Sequence, residues 1–347
     1  MVFSRGTRNF LPLFATLIMN KTSLLSPDRN HFVPRMFRPL LAVVFGLLCS
    51  AIAADAANRV VAWGDLSYDT IVSSGKRLRV TQIASGSFHS VVLENNWRVT
   101  AWGDDHFGQT GTPDQLKQYV VRQVAAGNVH SVALLWTGKV VAWGPAKGQY
   151  GDYGQCDVPT NLTRVVSVAA GAMHNLALKR GGTVVAWGGN WAGQCDVPPG
   201  LSKVVALAGG ASHSLALRSD GTVIAWGNNA QGQTSVPEGL KQVVAIAADG
   251  NHSLALKRDG SVVSWGTYGL AYCNVPDGLT KMVAIATGAY HSLALKNDGT
   301  VVTWGFNTAG QCNLPSGLKD VMAIAAHGNH SVVLVNDRPL GRMSLRW

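Results

Sequence analysis

Short bursts of alternating apolar and polar residues, separated by turn-forming residues, run along most of this chain. The segment from Met282 to Gly317 shows the unit most cleanly. Val283-Ala-Ile-Ala286 alternates large and small side chains, as a strand with one face in a core does. A loop, Thr287-Gly-Ala-Tyr290, leads to a second predicted strand, His291-Ser-Leu-Ala-Leu-Lys296. Asn297-Asp298-Gly299 then supplies the positive-φ residues of a tight hairpin, and Thr300-Val-Val-Thr-Trp304 predicts a third strand. After Trp-Gly comes a polar loop, Phe306-Asn-Thr-Ala-Gly310. Gln311-Cys-Asn-Leu-Pro315 predicts a short outer strand, where Pro fits an edge because it has no N–H to give.

The unit recurs along the chain. Trp-Gly occurs at Trp63, Trp102, Trp143, Trp187, Trp226, Trp265 and Trp304, and a repeat His at His89, His130, His174, His213, His252, His291 and His330. From each of the first six His residues the next repeat Trp lies 13 residues on. A period near 40 residues marks one structural unit stacked on copies of itself. A small sheet of about four strands repeated around a circle is a β-propeller blade, so the expected fold is all-β with seven blades. Trp63 has no repeat His before it and His330 has no Trp after it, so each supplies what the other lacks. The strand Arg59-Val-Val-Ala-Trp63 is therefore expected to complete the last blade. That pairing closes the ring and covers two strand edges.

The wording Gly-x-x-His-Ser-Leu-Ala-Leu-Lys-x-Asp-Gly-Thr-Val-x-x-Trp-Gly-x-Asn-x-x-Gly-Gln resembles the regulator of chromosome condensation repeat. The resemblance covers essentially all of residues 57–347. It is to the shorter bacterial form, with Val-Pro-x-Gly-Leu after the Gln as at Val236–Leu240. In period and wording it is similar to the secreted β-lactamase-inhibitory propellers of that superfamily. The first unit departs from the pattern, since Gly-Gln and Val-Pro do not follow Trp63. The resemblance implies a binding scaffold, either an inhibitor of another enzyme or a guanine-nucleotide exchange factor for a small GTPase.

Residues 1–56 are of another kind. Arg35 and Arg38 precede an apolar run from Leu40 to Ala53, and Ala51-Ile-Ala53 or Ala54-Asp-Ala56 offers small-residue cleavage. This reads as a leader and signal peptide, so a secreted or periplasmic protein is expected, starting at Met1 or Met36. The run is too short to span a bilayer comfortably, and no stable membrane span is expected in the mature chain. Removal of this segment takes away six basic and two acidic groups, leaving 23 and 17, so the net charge falls from +10 to +6. That mild, dispersed charge argues against a nucleic-acid partner. Four Cys remain, at Cys156, Cys195, Cys273 and Cys312, in repeat-equivalent positions too far apart to bridge; unpaired, half-buried thiols are expected.

Seven equivalent His residues around a ring are spaced too widely for one metal ion, and seven His-Ser pairs offer no single asymmetric constellation for catalysis. The His and Trp residues are therefore read as structural, and no metal, cofactor or enzymatic activity is expected. No carboxylate pair with distinctive spacing supports a glycosidase, which leaves sugar binding as an alternative to protein binding. The loops before the His and after Trp-Gly fall on one face. There stand Tyr68, Phe88, Phe107, Tyr150, Tyr153, Trp191, Tyr268, Tyr290 and Phe306, the candidate protein-binding residues of an expected monomer. The opposite face collects Lys179, Arg180, Lys203, Arg218, Lys241, Lys257, Arg258, Lys281, Lys296 and Lys319, read as a solvated surface.

Overall fold

The computed structural model describes residues 58–67, 79–267 and 274–336. The leader and the positions of Tyr68, Tyr268 and Cys273 lie outside these residues. The rest form seven three-stranded antiparallel sheets, each a blade. Blade 1 is β2 (Val80–Ser85), β3 (His89–Glu94) and β4 (Val99–Gly103); blade 2 is β5 (Val121–Ala126), β6 (Ser131–Leu135) and β7 (Val140–Trp143). Blade 3 is β8 (Val165–Ala170), β9 (His174–Lys179) and β10 (Val184–Gly188); blade 4 is β11 (Val204–Gly209), β12 (His213–Arg218) and β13 (Val223–Gly227). Blade 5 is β14 (Val243–Asp249), β15 (His252–Lys257) and β16 (Val262–Gly266); blade 6 is β17 (Met282–Thr287), β18 (His291–Lys296) and β19 (Val301–Gly305). Blade 7 takes β20 (Val321–His327) and β21 (His330–Asn336) from the end of the repeat array and β1 (Asn58–Gly64) from its start. Strand β1 pairs with β21 from Asn58↔Asn336 to Gly64↔His330, so the ring closes as the orphan Trp63 and His330 require.

The expected fourth strand is absent: each sheet among the described residues has three. The segment after the Gln spends its N–H groups locally. Cys312 N–H donates to Asn307 Oδ1 (2.8 Å), Asn313 N–H to Gly310 O (2.9 Å) and Leu318 N–H to Pro315 O (3.2 Å). Groups already paired in turns cannot extend a ladder.

Burial follows from the stacking of blades. Every residue of His-Ser-Leu-Ala-Leu in β12, β15 and β18 is buried, on both faces of the strand, because the middle strand lies between two neighbouring blades. The apolar cores accordingly sit at the seams. At the seam of blades 3 and 4, Leu176 and Leu178 pack with Val204, Ala216 and Trp226. At the closing seam of blades 6 and 7, Leu293 and Leu295 pack with Val333, Val335, Val61 and Trp63. Each repeat Trp fills the seam toward the blade before its own.

The hairpins differ from the two-residue turn that Asp-Gly suggests. Gly299 N–H donates to Lys296 O (3.1 Å), Lys296 N–H donates to Thr300 O (2.8 Å), and Gly299 alone in the turn has a positive φ, 82°. This is a type I turn followed by one left-handed residue, a three-residue loop. Asp298 closes it by accepting from the Thr300 N–H and hydroxyl (3.0 and 2.7 Å).

Candidate functional site: the loop face

The loop face rests on a ring of buried imidazoles. Each repeat His opens the middle strand of its blade and reaches into the next one. His89 Nε2 meets Ser131 Oγ at 2.9 Å, His130 meets Asn175 Oδ1 at 2.9 Å, and His174 meets Ser214 Oγ at 2.9 Å. His213, His252 and His291 meet Ser253, Ser292 and Ser331 at 2.9, 3.2 and 2.9 Å. At ring closure the partner changes: His330 Nε2 meets Ser85 Oγ at 2.7 Å. Burial pushes the imidazole pKa values down, to about 3 at His89, His174, His213 and His291 and to about 4 at His130, His252 and His330. The rings are thus neutral girders between blades. In five blades the glycine three residues earlier makes room for the ring: a Cβ on Gly127, Gly171 or Gly210 would overlap the imidazole of its own blade.

A buried Gln, whose role the repeat pattern did not disclose, locks the loop above the ring. Gln109, Gln155, Gln194, Gln233 and Gln311 are fully buried. Their side-chain oxygens accept the N–H two residues earlier, from Phe107 (2.9 Å), Tyr153 (2.7 Å) and Ala192 (2.9 Å) among others. Four of the five backbone oxygens accept the indole N–H of the next blade: Trp187 to Gln155 (3.1 Å), Trp226 to Gln194 (2.9 Å), Trp265 to Gln233 (2.9 Å) and, across the closure, Trp63 to Gln311 (2.9 Å). Trp, Gln and loop are one assembly.

On that assembly sit the aromatic side chains. The residue before each His and the residue after Trp-Gly share a backbone bond, as in Phe306 N–H to Tyr290 O (2.9 Å) and Asp104 N–H to Phe88 O (2.8 Å), so both loops lie on one face. Phe88, Tyr150, Tyr153, Trp191, Tyr290 and Phe306 are exposed, Tyr150 at 88% and Trp191 at 57%; Phe107 is half-buried. Three successive loops form an arc through Phe107–Tyr150 (6.4 Å between ring centroids) and Tyr153–Trp191 (5.2 Å), and Tyr290–Phe306 (6.1 Å) makes a separate pair on blade 6. Trp191 Nε1–H donates to Ser212 Oγ (2.9 Å), and its ring lies over Gly189, where a Cβ would overlap it. That glycine stands where other units carry Asp104, Asn228 or Phe306, a signal legible once the copies are aligned.

Two further residues mark the axis. Five blades have Gly three residues before the repeat His, but blades 5 and 7 have Asp249 and His327. Their strands run one residue longer and turn on Gly250 and Gly328 at φ +50° and +52°. The two side chains meet between non-adjacent blades, His327 Nδ1 to Asp249 Oδ2 at 3.4 Å. Asp249 also accepts Gly328 N–H (3.1 Å) and Gly250 N–H (2.6 Å), while its burial raises the carboxyl pKa. His327 Nδ1 also lies 3.3 Å from Ser87 Oγ, which donates to Asn128 Oδ1 (2.9 Å). This polar string lies at an axial cavity of about 260 Å³ lined by alanines of the inner strands, among them Ala84, Ala169, Ala247 and Ala325.

The two faces differ in charge. Asp65, Asp104, Asp105, Asp152, Asp157 and Asp196 lie on the loop side, with Lys147 alone among the described Lys and Arg residues. The hairpin side adds Arg98, Lys117, Arg122, Lys139 and Arg164 to the ten basic residues named above, against the carboxylates Asp114, Asp220, Glu238, Asp259, Asp277, Asp298 and Asp320, three of which pair with Lys117, Arg218 and Lys257. It is not merely basic, however. Trp97, Tyr119, Val120 and Trp136 are exposed there, in the hairpins and the corner of blades 1 and 2. Cys156, Cys195 and Cys312 are free and half-buried, with thiol pKa values pushed up by burial to about 12, 11 and 11. Among the described residues no cluster of His, Cys, Asp and Glu could hold a metal, and no helix is long and apolar enough to cross a membrane.

The family model described as Regulator of chromosome condensation (RCC1) repeat matches residues 80–109, 165–194, 204–233 and 282–311, each running from an inner strand to the Gln or its equivalent that ends the loop. Among solved structures, Prp20p of Saccharomyces cerevisiae, described with its binding to Gsp1p and histones, is 21% identical with a TM-score of 0.69, covering 84% of this chain and 94% of its own. Yeast RCC1 (Prp20) in complex with Kap60 is 20% identical with a TM-score of 0.70, covering 92% and 97%. Human WBSCR16 is 20% identical with a TM-score of 0.62, covering 81% and 99%. At this identity the likeness establishes the fold. No curated protein sequence matches the chain.

Proposed function

Taking the chain as a seven-bladed propeller of RCC1 repeats, we propose that it is an exported, non-catalytic scaffold that binds another protein through its aromatic loop face. The carrying observation is the arc Phe107–Tyr150 and Tyr153–Trp191, mounted on loops that buried Gln109 and Gln155 hold in place. Exposed aromatics on a preformed surface supply contact area at small ordering cost. The surrounding carboxylates favour a partner with a basic rim. Export follows from the basic start, apolar run and small-residue end of residues 35–56. In the finer form of this reading the partner is an extracytoplasmic enzyme, which the bound loop face inhibits.

Mature protein is used to capture its partner from the extracytoplasmic fraction, and the captured protein is then titrated against variants. Trp191→Ala, Tyr153→Ala and Phe306→Ala are each expected to weaken binding about tenfold or more, with unchanged melting curves. Lys257→Ala and Arg258→Ala, on the hairpin side, are expected to leave affinity nearly unchanged. Losses confined to the lysine variants would place the site on the wrong face. N-terminal sequencing of exported protein is expected to begin near Ala54 or Ala57; a cytoplasmic product starting at Met1 or Met36 would remove the export reading.

A further inference from the structure

The hairpin face carries aromatic side chains that the repeat does not require. Trp97 has φ +68° at the turn position that is Gly138, Gly182, Gly221, Gly260 and Gly299 in the next five hairpins, all with φ between 81° and 84°. A bulky L-residue is strained there, and such strain persists where the side chain serves something other than the fold. The Trp97 side chain is 44% exposed, so it fills no core. In the adjacent hairpin Trp136 is 66% exposed, with the Arg122 guanidinium 5.9 Å from its ring centroid.

The corner between these hairpins exposes Tyr119 at 48%. Trp136 N–H donates to Val120 O (2.9 Å), which joins this corner to the second hairpin. At later seams the hairpin Gly carbonyl receives the first N–H of the next inner strand, Val165 to Gly138 and Val204 to Gly182, both 3.3 Å. Trp97 occupies that same seat beside the corner leading into β5. Two Trp in neighbouring hairpins and one Tyr in the corner between them thus stand on the same face, with Arg98, Arg122 and Lys139 in the same segments.

From this juxtaposition we infer that the hairpin face docks onto a bilayer surface rich in anionic phospholipid. Indole and phenol rings settle at the headgroup level, where one end of the ring is apolar and the other wet. Basic side chains around them are drawn to anionic headgroups, and the two attractions act together. Every complete hairpin ends in the same short turn. The carboxylate-rich loop face would then point away from the surface. The inference is independent of the protein-binding reading, since it uses the other face.

The test is co-sedimentation of the mature protein with vesicles of phosphatidylglycerol and phosphatidylcholine, against phosphatidylcholine alone. Binding is expected to the anionic vesicles and to weaken with added salt. Trp136→Ser is expected to lower the partition coefficient about tenfold with an unchanged melting temperature. Trp97→Gly is expected to lower it comparably while raising the melting temperature, so lost binding cannot be ascribed to lost fold. Trp191→Ala, on the loop face, is expected to bind vesicles as the parent does. The inference is overturned if the protein stays in the supernatant, binds both vesicle types equally, or is indifferent to Trp97→Gly and Trp136→Ser. Binding of a soluble acidic polypeptide in place of vesicles, lost in the same variants, would also overturn it in favour of an acidic protein partner.

Discussion

The two faces of the disc are made from the same strands, yet their loops are held by opposite means. On the loop face, His, Gln and Trp side chains are buried and bonded between blades, and the glycine before a repeat His, as at Gly127, Gly171 and Gly210, is there because a Cβ has no room. On the hairpin face each turn is closed by bonds within its own strand pair around a left-handed glycine, whose carbonyl also takes an N–H from the next blade at Gly138, Gly182, Gly221, Gly260 and Gly299. One face is locked mainly by side chains bonded between blades and the other mainly by turn geometry. The first can present a fixed surface to a partner; the second tolerates a residue such as Trp97 at a local cost.

Acid separates the two most strongly. The seven ring imidazoles have folded pKa values of about 3 to 4, against about 6.5 when unfolded. Below pH 6.5 the unfolded chain binds protons that the fold refuses, so stability present above that pH is lost as it falls toward pH 4. At pH 5 each site costs on the order of 1 kcal/mol or more, and all seven act in the same direction. The turn carboxylates Asp220, Asp259 and Asp298 have lowered pKa values, so their stabilisation is present above the ordinary carboxylate range and lost only below it. Melting temperature is therefore expected to fall steeply between pH 7 and 5. A flat profile over that range would show that the rings are not held neutral.

Glycine substitutions sharpen the contrast. In Gly171→Ala the new methyl overlaps the His174 ring and the Gly210 carbonyl, both fixed, and a loss of roughly 3 kcal/mol or more is expected in urea denaturation. In Gly181→Ala the methyl meets nothing within 4 Å, and only the φ of +107° is strained, for a loss of about 1–2 kcal/mol. Equal losses would erase the distinction between the faces.

Smaller effects test the lock itself. Gln155→Ala removes the acceptor of Tyr153 N–H and the donor to Gly151 O, both part-buried bonds, and is expected to cost about 1–2 kcal/mol. Hydrogen exchange at the Tyr153 amide is expected to quicken while the Trp187 indole, bonded to a backbone oxygen, stays protected. The smallest effect has the opposite sign: Trp97→Gly is expected to gain about 1 kcal/mol by releasing its left-handed φ.

Periodicity alone was enough to read the blade count and the ring closure through β1. Each rests on spacing, and spacing survives without coordinates: the orphan Trp63 and His330 could be paired because both fall at fixed intervals. The outer strand was misread because Pro and alternation suit an edge strand and a turn-rich loop equally, and the choice lies in where N–H groups such as that of Cys312 go. Trp97, Tyr119 and Trp136 lie outside the segments that flank His and Trp-Gly, so the repeat does not mark them, although Trp97 stands in a glycine position.

The sequence by itself determined a closed ring of seven copies, since a repeat that cannot bury its faces alone must stack on its neighbours. Only the tertiary structure decided that each His and Ser would bond across a seam, that the buried Gln would join loop to Trp, and that Asp249 and His327 would meet at the axis. Those contacts join residues about 30 to 80 positions apart, and about 245 apart at the closure of the ring. No local pattern encodes which side chains a closed ring brings face to face.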